Sequence, residues 1–328
     1  MSKYHLVDID GDLVMEPNRK GFGRGLKVAG ELDVNVVALC ADLTESTQMS
    51  IFKEAFPDRF IEIGIAEQNL VTVAAGLAGQ GKIPFASSYA AFSPGRNWEQ
   101  IRTTACLNDR PVKIIGSHAG LSVGPDGATH QMLEDIALMR VLPNMIVIAP
   151  CDSLEAERAT LAIAKDLRPS YMRLAREASP IISTSETPFE IGKAYVYSEG
   201  KDVTIISTGT MTSKALLAVS MLYNDGISAE VVHCPTIKPL DAETILKSVE
   251  KTRCVVTCEE AQIAGGLGGA IAELLADNDP VFITRVGLKN EFGQSGSPDE
   301  LYEHYGLTPK HIAMAVHAVV SKKNKEKV

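Results

Sequence analysis

The chain is expected to fold as two open α/β domains, each around a mostly parallel sheet. Two observations predict this. Short apolar runs alternate with helix-period segments along nearly the whole sequence, as they do where crossover helices bury both faces of a sheet. The polar stretch Ser183-Thr-Ser-Glu-Thr-Pro188 breaks that rhythm, which restarts beyond it, so the domains are expected at 1–185 and 186–328. A length of 328 residues suits about two cores of ordinary size. No internal repeat or low-complexity tract interrupts the pattern.

Taken in order, the apolar runs of the first domain predict strands at 34–40, 59–63, 83–88, 112–116, 145–149 and 170–174. Between them the 3.6-residue period predicts helices at 20–31, 66–79, 98–107, 133–140 and 153–165. Beyond the polar stretch, strands are expected at 203–207, 229–233, 254–259 and 281–286. Helices at 211–223, 242–249, 266–276 and 309–321 complete a second, smaller unit.

Composition narrows the function classes. A net charge of −9 argues against a nucleic-acid partner. The start Met1-Ser-Lys-Tyr-His-Leu-Val-Asp-Ile-Asp lacks the regions of a signal peptide, and no apolar run approaches the ~20 residues of a membrane span. Six cysteines lie scattered in apolar segments. Cys254 and Cys258 fall on one face of a strand, which fits a core position better than a metal site. This usage fits a reducing cytoplasm.

The candidate chemistry gathers at strand ends, where open α/β folds bind ligands. After the run Val112-Lys-Ile-Ile-Gly116 comes a glycine-punctuated loop, Ser117-His-Ala-Gly-Leu-Ser-Val-Gly-Pro-Asp-Gly-Ala-Thr-His-Gln131. Its His118, Asp126 and His130 suit a polyhydroxylated substrate and proton transfer near neutral pH. Glu67, in Arg59-Phe-Ile-Glu-Ile-Gly-Ile-Ala-Glu67-Gln-Asn69, opens a strongly apolar helix. A carboxylate is favoured at a helix start by the dipole, but one so buried needs a partner or must keep its proton. Such a carboxyl group in a cleft is what a nitrogen heterocycle cofactor requires. Phe85, Tyr89 and Phe92 crowd into Pro84-Phe-Ala-Ser-Ser-Tyr-Ala-Ala-Phe92, although only 5% of the chain is aromatic. They could stack on a planar ring, although core packing is the default for any one of them. Asp42 and Ser46, in Cys40-Ala-Asp42-Leu-Thr-Glu-Ser46, lie just past another strand end and double as helix-cap residues. Gly265-Gly-Leu-Gly-Gly269 lacks dinucleotide-binding spacing and reads as a close-packed helix start. Asp10-Gly-Asp12 has no preceding strand and no calcium-loop spacing.

In register, four of these segments resemble the transketolase family of thiamine diphosphate enzymes. Ala41-Asp42-Leu-Thr-Glu-Ser46 is similar to its Ala-Asp-Leu-Thr-x-Ser segment, and Gly64-Ile-Ala-Glu67-Gln to its glutamate cofactor motif. Tyr89 to Phe92 resembles the aromatic turn, and Gly124-Pro-Asp126-Gly-Ala-Thr-His130-Gln the Gly-Glu-Asp-Gly-Pro-Thr-His-Gln signature. The likeness covers most of the chain, but only the last two of that family's three domains, the pyrimidine-binding and C-terminal ones.

This resemblance implies roles. Glu67 would hydrogen-bond N1′ of the cofactor's aminopyrimidine and favour the tautomer that deprotonates the thiazolium. Phe92 would stack on the pyrimidine, Phe85 and Tyr89 would shape its pocket, and Asp42 would lie near the thiazolium. His118, Asp126 and His130 would hold the sugar's hydroxyls and carbonyl, and a histidine could move the proton. Ser46 and Arg176, with Arg19 as a further candidate, would grip a substrate phosphate.

Three departures qualify this. Gln68 follows Glu67 where full-length transketolases have histidine, a form closer to two-subunit transketolases and deoxyxylulose-phosphate synthases. Pro125 replaces the family's glutamate. The Gly-Asp-Gly motif that begins the Mg²⁺ and diphosphate site is missing. The resemblance therefore implies a partner subunit supplying that domain and Mg²⁺, in an α2β2 assembly. The implied reaction is transfer of a two-carbon ketol unit between phosphorylated sugars, pentose phosphates among them. A 2-oxo acid dehydrogenase β subunit, a deoxyxylulose-phosphate synthase-like enzyme and a non-catalytic assembly subunit remain alternatives.

Overall fold

A computed structural model of the chain describes residues 4–325. The first half carries β1 (Met15–Pro17), β2 (Val36–Cys40), β3 (Phe60–Glu62), β4 (Ile83–Tyr89), β5 (Lys113–Ser117), β6 (Ile146–Ile148), β7 (Ser170–Arg173) and β8 (Ala178–Pro180). The second half carries β9 (Tyr195–Ser198), β10 (Val203–Ser207), β11 (Ala229–His233), β12 (Thr236–Lys238), β13 (Cys254–Gln262) and β14 (Phe282–Leu288).

These strands form two α/β layers. One sheet has seven strands in the order β12-β6-β7-β5-β4-β2-β3, and the other has five in the order β14-β13-β10-β11-β9. Every pairing within them is parallel except β12 with β6 and β9 with β11. β2, β5 and β10 are buried at every position, as expected of strands covered on both faces. Helices Asn18–Leu32 and Ser153–Lys165 pack together over one face of the larger sheet. They approach so closely that a Cβ at Gly21 would sit 1.7 Å from the Ser153 carbonyl oxygen. Helix Glu67–Gly79 covers the other face through Leu70, Val71 and Ala74.

Differences from the expected elements have local causes. β1, β8 and β12 are each three residues long, too short to show a period, and β1 and β8 form a separate two-stranded ribbon. β12 leaves the second half to pair with β6, Thr236 against Ile148 and Lys238 against Val147. Nothing in a three-residue run says which sheet it will join. The expected helix at 98–107 forms as one turn, Trp98–Gln100, continued by a wider π turn, Ile101–Cys106. Helices Ser50–Ala55 and Pro298–His304 were not anticipated. All six cysteines are buried, Cys254 and Cys258 among them, and the Cys254 thiol donates to the Asp202 carbonyl at 3.3 Å. The glycine run opens helix Leu267–Asn278, and its N-terminus is filled by the protein's own Glu259. That carboxylate accepts from the Leu267 and Gly268 N–H groups at 2.7 Å each.

The two halves are fastened by buried polar groups. Arg173, at the end of β7, donates from Nε to Asp135 Oδ2 at 2.9 Å and from Nη2 to the Glu260 carbonyl at 2.7 Å. Tyr171 donates its hydroxyl to the same Asp135 oxygen at 2.7 Å. Asp152 accepts from the Ile182 and Ser183 N–H groups, so the polar stretch at 183–188 starts from a pinned point. The Glu155 carboxylate lies 2.9 Å from His233 Nε2 and accepts from the Cys151 N–H at 2.7 Å. No helix among the described residues is long and apolar enough to cross a membrane.

Asp135→Ala removes the acid but leaves the Arg173 guanidinium buried. The variant is expected to lose about 3–5 kcal/mol of unfolding free energy in guanidinium titrations. Replacing both Asp135 and Arg173 with apolar residues should lose less, because no charge is then stranded.

Candidate active site

β2, β3, β4, β5 and β7 run parallel, so their carboxyl ends share one edge of the larger sheet. That edge presents Asp42 after β2, Glu67 after β3, Tyr89 at the end of β4, His118 after β5 and Arg176 after β7.

Glu67 is the first residue of helix Glu67–Gly79 and is 5% exposed. Its partner is Arg96, whose Nη1 stands 3.8 Å from Oε2. Asn97, fully buried, donates from Nδ2 to the Glu67 carbonyl at 2.8 Å and so fixes the start of the helix to the turn after β4. That turn carries Tyr89 and Phe92, with ring centroids 6.1 Å apart and nearly parallel. The Tyr89 ring stacks on the His118 imidazole at 3.9 Å. His130 meets Phe92 edge-on at 5.4 Å and Tyr89 at 6.5 Å. One contiguous surface therefore joins Glu67, Arg96, Phe92, Tyr89, His118 and His130.

The loop that carries the histidines is held from behind by the second half of the chain. Leu121–Thr129 forms two short 3₁₀ turns separated at Gly124 and Gly127, both at φ +72°. Glycine suits this left-handed region, where an added Cβ is strained. The Ser122 N–H donates to Glu260 Oε1 at 2.7 Å, and Gln131 Nε2 donates to the Gly124 and Gln294 carbonyls. His118 itself has φ +54° and is 4% exposed, with Nδ1 2.9 Å from Ser117 Oγ. Burial, reinforced by Arg19, Arg176 and His130, pushes its pKa down to about 3. The imidazole is thus neutral at physiological pH, able to donate at one nitrogen and accept at the other. His130 is half-buried, and its Nδ1 lies 2.9 Å from Thr129 Oγ1.

A cationic corner adjoins the histidines. Arg19 donates from Nε to the Arg176 carbonyl at 3.2 Å and from Nη1 to the Ser46 carbonyl at 2.7 Å. Asn18 sets this geometry: its Oδ1 accepts from the Ala175 N–H at 2.9 Å, tying the helix start to the end of β7. Arg176 donates to the Val123 carbonyl at 2.5 Å, and its Nη1 lies 3.9 Å from Asp126 Oδ2. Two guanidinium groups facing a polar loop suit a phosphate or another oxyanion.

Of the sequence candidates, Glu67, Tyr89, Phe92, His118 and His130 come together, and Arg19, Ser46, Arg176 and Asp126 form the adjoining corner. Asp42 is exposed at φ +58° on the same edge, and its N–H donates to Glu62 Oε1 at 2.8 Å. Phe85 is a correction. It is fully buried, packs on Phe22 at 6.4 Å, and belongs to the core beneath helix Asn18–Leu32. Lying four residues before Tyr89 on the same strand face, it is about 13 Å from the sheet edge. Arg96, Asn97, Glu62, Gln131 and Glu260 were not assigned roles from the sequence. Arg96 had a local signal, since it follows Phe92 by four residues, one helical turn. Glu260 had none, because its contact spans 138 residues.

This fold and site define a transketolase-type α/β chain. The chain belongs to the transketolase family, which is thiamine diphosphate-dependent. Residues 17–181 match the transketolase pyrimidine-binding domain and residues 192–312 the transketolase C-terminal domain. The chain is 46% identical to a protein of Methanocaldococcus jannaschii described as a transketolase C-terminal section, over 95% of this chain and 98% of that one. It is 42% identical to the 6-deoxy-6-sulfo-D-fructose transketolase subunit of Clostridium sp. strain MSTE9, over 89% and 91% of the two chains. The solved structure of a split-gene transketolase, an inactive β4 tetramer, superposes with a TM-score of 0.88 at 44% identity. It covers 93% of this chain and 98% of that one.

Because the folded state keeps His118 neutral, acid favours unfolding. Below about pH 6.5 the unfolded chain takes up a proton there that the folded chain refuses, until pH nears the folded value of about 3. The His118 imidazole is therefore expected to show no titration between about pH 5 and 8 by NMR, with the resonance assigned through a His118→Gln variant.

Proposed function

We propose that this chain is the C-terminal subunit of a two-subunit transketolase, moving a two-carbon ketol unit between phosphorylated sugars. The observation that carries the reading is the single surface joining Glu67, the Phe92 ring and the two loop histidines. Names of relatives support the split organisation: one is a C-terminal section, another a subunit, and each is nearly the length of this chain.

The residues fit the pyrimidine half of thiamine diphosphate. The flat Arg96 guanidinium, 4.7 Å from the Phe92 ring centroid and 3.8 Å from Glu67 Oε2, supports this fit. When bound, the cofactor supplies a carbon nucleophile from its thiazolium ring. Glu67 would hold the proton at the pyrimidine N1′, and Phe92 would pack against the ring. Asp42 would help hold the thiazolium ring. His118, held neutral by its burial, and His130 beside it would donate to the substrate carbonyl and hydroxyls and return the proton on cleavage, while Asp126 would accept from a hydroxyl. Arg176, Arg19 and Ser46 hold the substrate's oxyanion, which favours a phosphorylated sugar over a small 2-oxo acid.

We place the domain boundary at 185/186. A partner chain brings the diphosphate and Mg²⁺ site, and the complex is an α2β2 heterotetramer. The six buried cysteines suit a cytoplasmic location.

Mixed with its partner, thiamine diphosphate and Mg²⁺, the chain is expected to consume xylulose 5-phosphate in a ketol-transfer assay. Glu67→Ala should lower kcat by about 100-fold or more, the scale of a lost general acid–base group. Unchanged transfer by this variant would remove the catalytic assignment, and acetylation of lipoyl groups from pyruvate would point to a 2-oxo acid dehydrogenase instead.

A further inference from the structure

The Arg96 guanidinium lies 4.7 Å from the centroid of the Phe92 ring and 3.8 Å from Glu67 Oε2. It thus occupies the gap between an aromatic face and a nearly buried carboxylate. Its backbone N–H donates to the Phe92 carbonyl at 3.0 Å, which sets the side chain one turn beyond the ring and lets it fold back over it. A guanidinium is flat and carries donors on its edge, the two properties by which an aminopyrimidine would engage these same groups.

We propose that in the cofactor-free chain Arg96 stands in for the pyrimidine ring, and that the ring enters by displacing it. This rests on the cofactor reading given above. The hold on Arg96 is weak. Its side chain is 59% exposed, and it makes no hydrogen bond to another side chain or carbonyl among the described residues. What remains is a cation–π contact and a loose ion pair, both open to solvent and easily exchanged. The backbone around it is firm. Asn97 is fully buried and bonded both to the Glu67 carbonyl at 2.8 Å and to Ser93 Oγ at 3.2 Å. The exchange therefore needs only the Arg96 side chain to move.

The stand-in does two things. It gives the Glu67 carboxylate, 5% exposed, a positive partner while no cofactor is present. It also makes pyrimidine binding a competition, because each entry must break the Arg96 contacts. Removing Arg96 should therefore tighten binding, the opposite of what removing a ligand-gripping arginine does.

Trp98 is the one tryptophan of the chain and lies two residues from Arg96, so its emission reports on this turn. With the full-length chain, titration by thiamine is expected to change Trp98 emission. Arg96→Ala should bind about two- to fivefold more tightly than the wild type, the scale of an exposed cation–π contact. Arg96→Lys, which keeps the charge but not the flat face, should fall between them. In the complex with the partner, the KM for thiamine diphosphate should fall by a similar factor in Arg96→Ala. Circular dichroism of each variant checks that the fold is kept. Equal or weaker thiamine binding by folded Arg96→Ala overturns the proposal while leaving the cofactor reading intact. If the wild-type chain and its complex show no response to thiamine or its diphosphate, and Glu67→Ala leaves ketol transfer unchanged, the cofactor reading itself fails and this inference falls with it.

Discussion

The structure turns on a buried guanidinium. Arg173 ends the strand next to β5 and reaches Asp135, the Met132 carbonyl and the Glu260 carbonyl. It thereby joins the larger sheet, the segment after the histidine loop and β13 of the second sheet. A charge removed from water is tolerated only where its donors are satisfied, so each of these partners is constrained by the others. Gly116 belongs to the same arrangement. A Cβ there would lie 2.3 Å from the Tyr171 hydroxyl, the group that also bonds Asp135.

The histidine loop inherits its shape from this junction. It leaves β5 through His118 at a left-handed backbone angle, and at Gly120 an added Cβ would lie 2.3 Å from Glu260 Oε1. Glu260 then accepts the Ser122 N–H, and Gln131 closes the loop against the 294 segment. The front of the loop carries the histidines and Asp126, and its back is built by the other half of the chain. The second half thus takes part in the site without contributing any of the residues proposed to touch cofactor or substrate. It does so by fixing where His118 and His130 stand.

The legibility of this site in the sequence was uneven. Parallel strands such as Val36–Cys40 and Val203–Ser207 were readable because burial on both faces demands an unbroken apolar run. Glu67 stood out because a carboxylate opened a helix otherwise fit for the interior. Phe85 and Tyr89 looked alike, being two aromatics on the same face of one strand. Only their distance along that strand separates a core residue from one at the sheet edge, and no local pattern records where a strand stops being covered. β12 shows the same limit, since three residues carry too little pattern to announce that they will edge the other sheet.

By itself the sequence determined the α/β class and the order of most elements. It also set the side chains that meet at the strand ends, because strand direction and period fix which residues a parallel sheet presents at its carboxyl edge. The tertiary structure decided what those side chains do to one another. It stacked Tyr89 on His118, buried that imidazole so that it stays neutral, and laid Arg96 between Phe92 and Glu67. Such effects depend on separations of a few ångströms between residues far apart in the chain and on the exclusion of water, and both arise only when the sheets and their crossover helices close on each other.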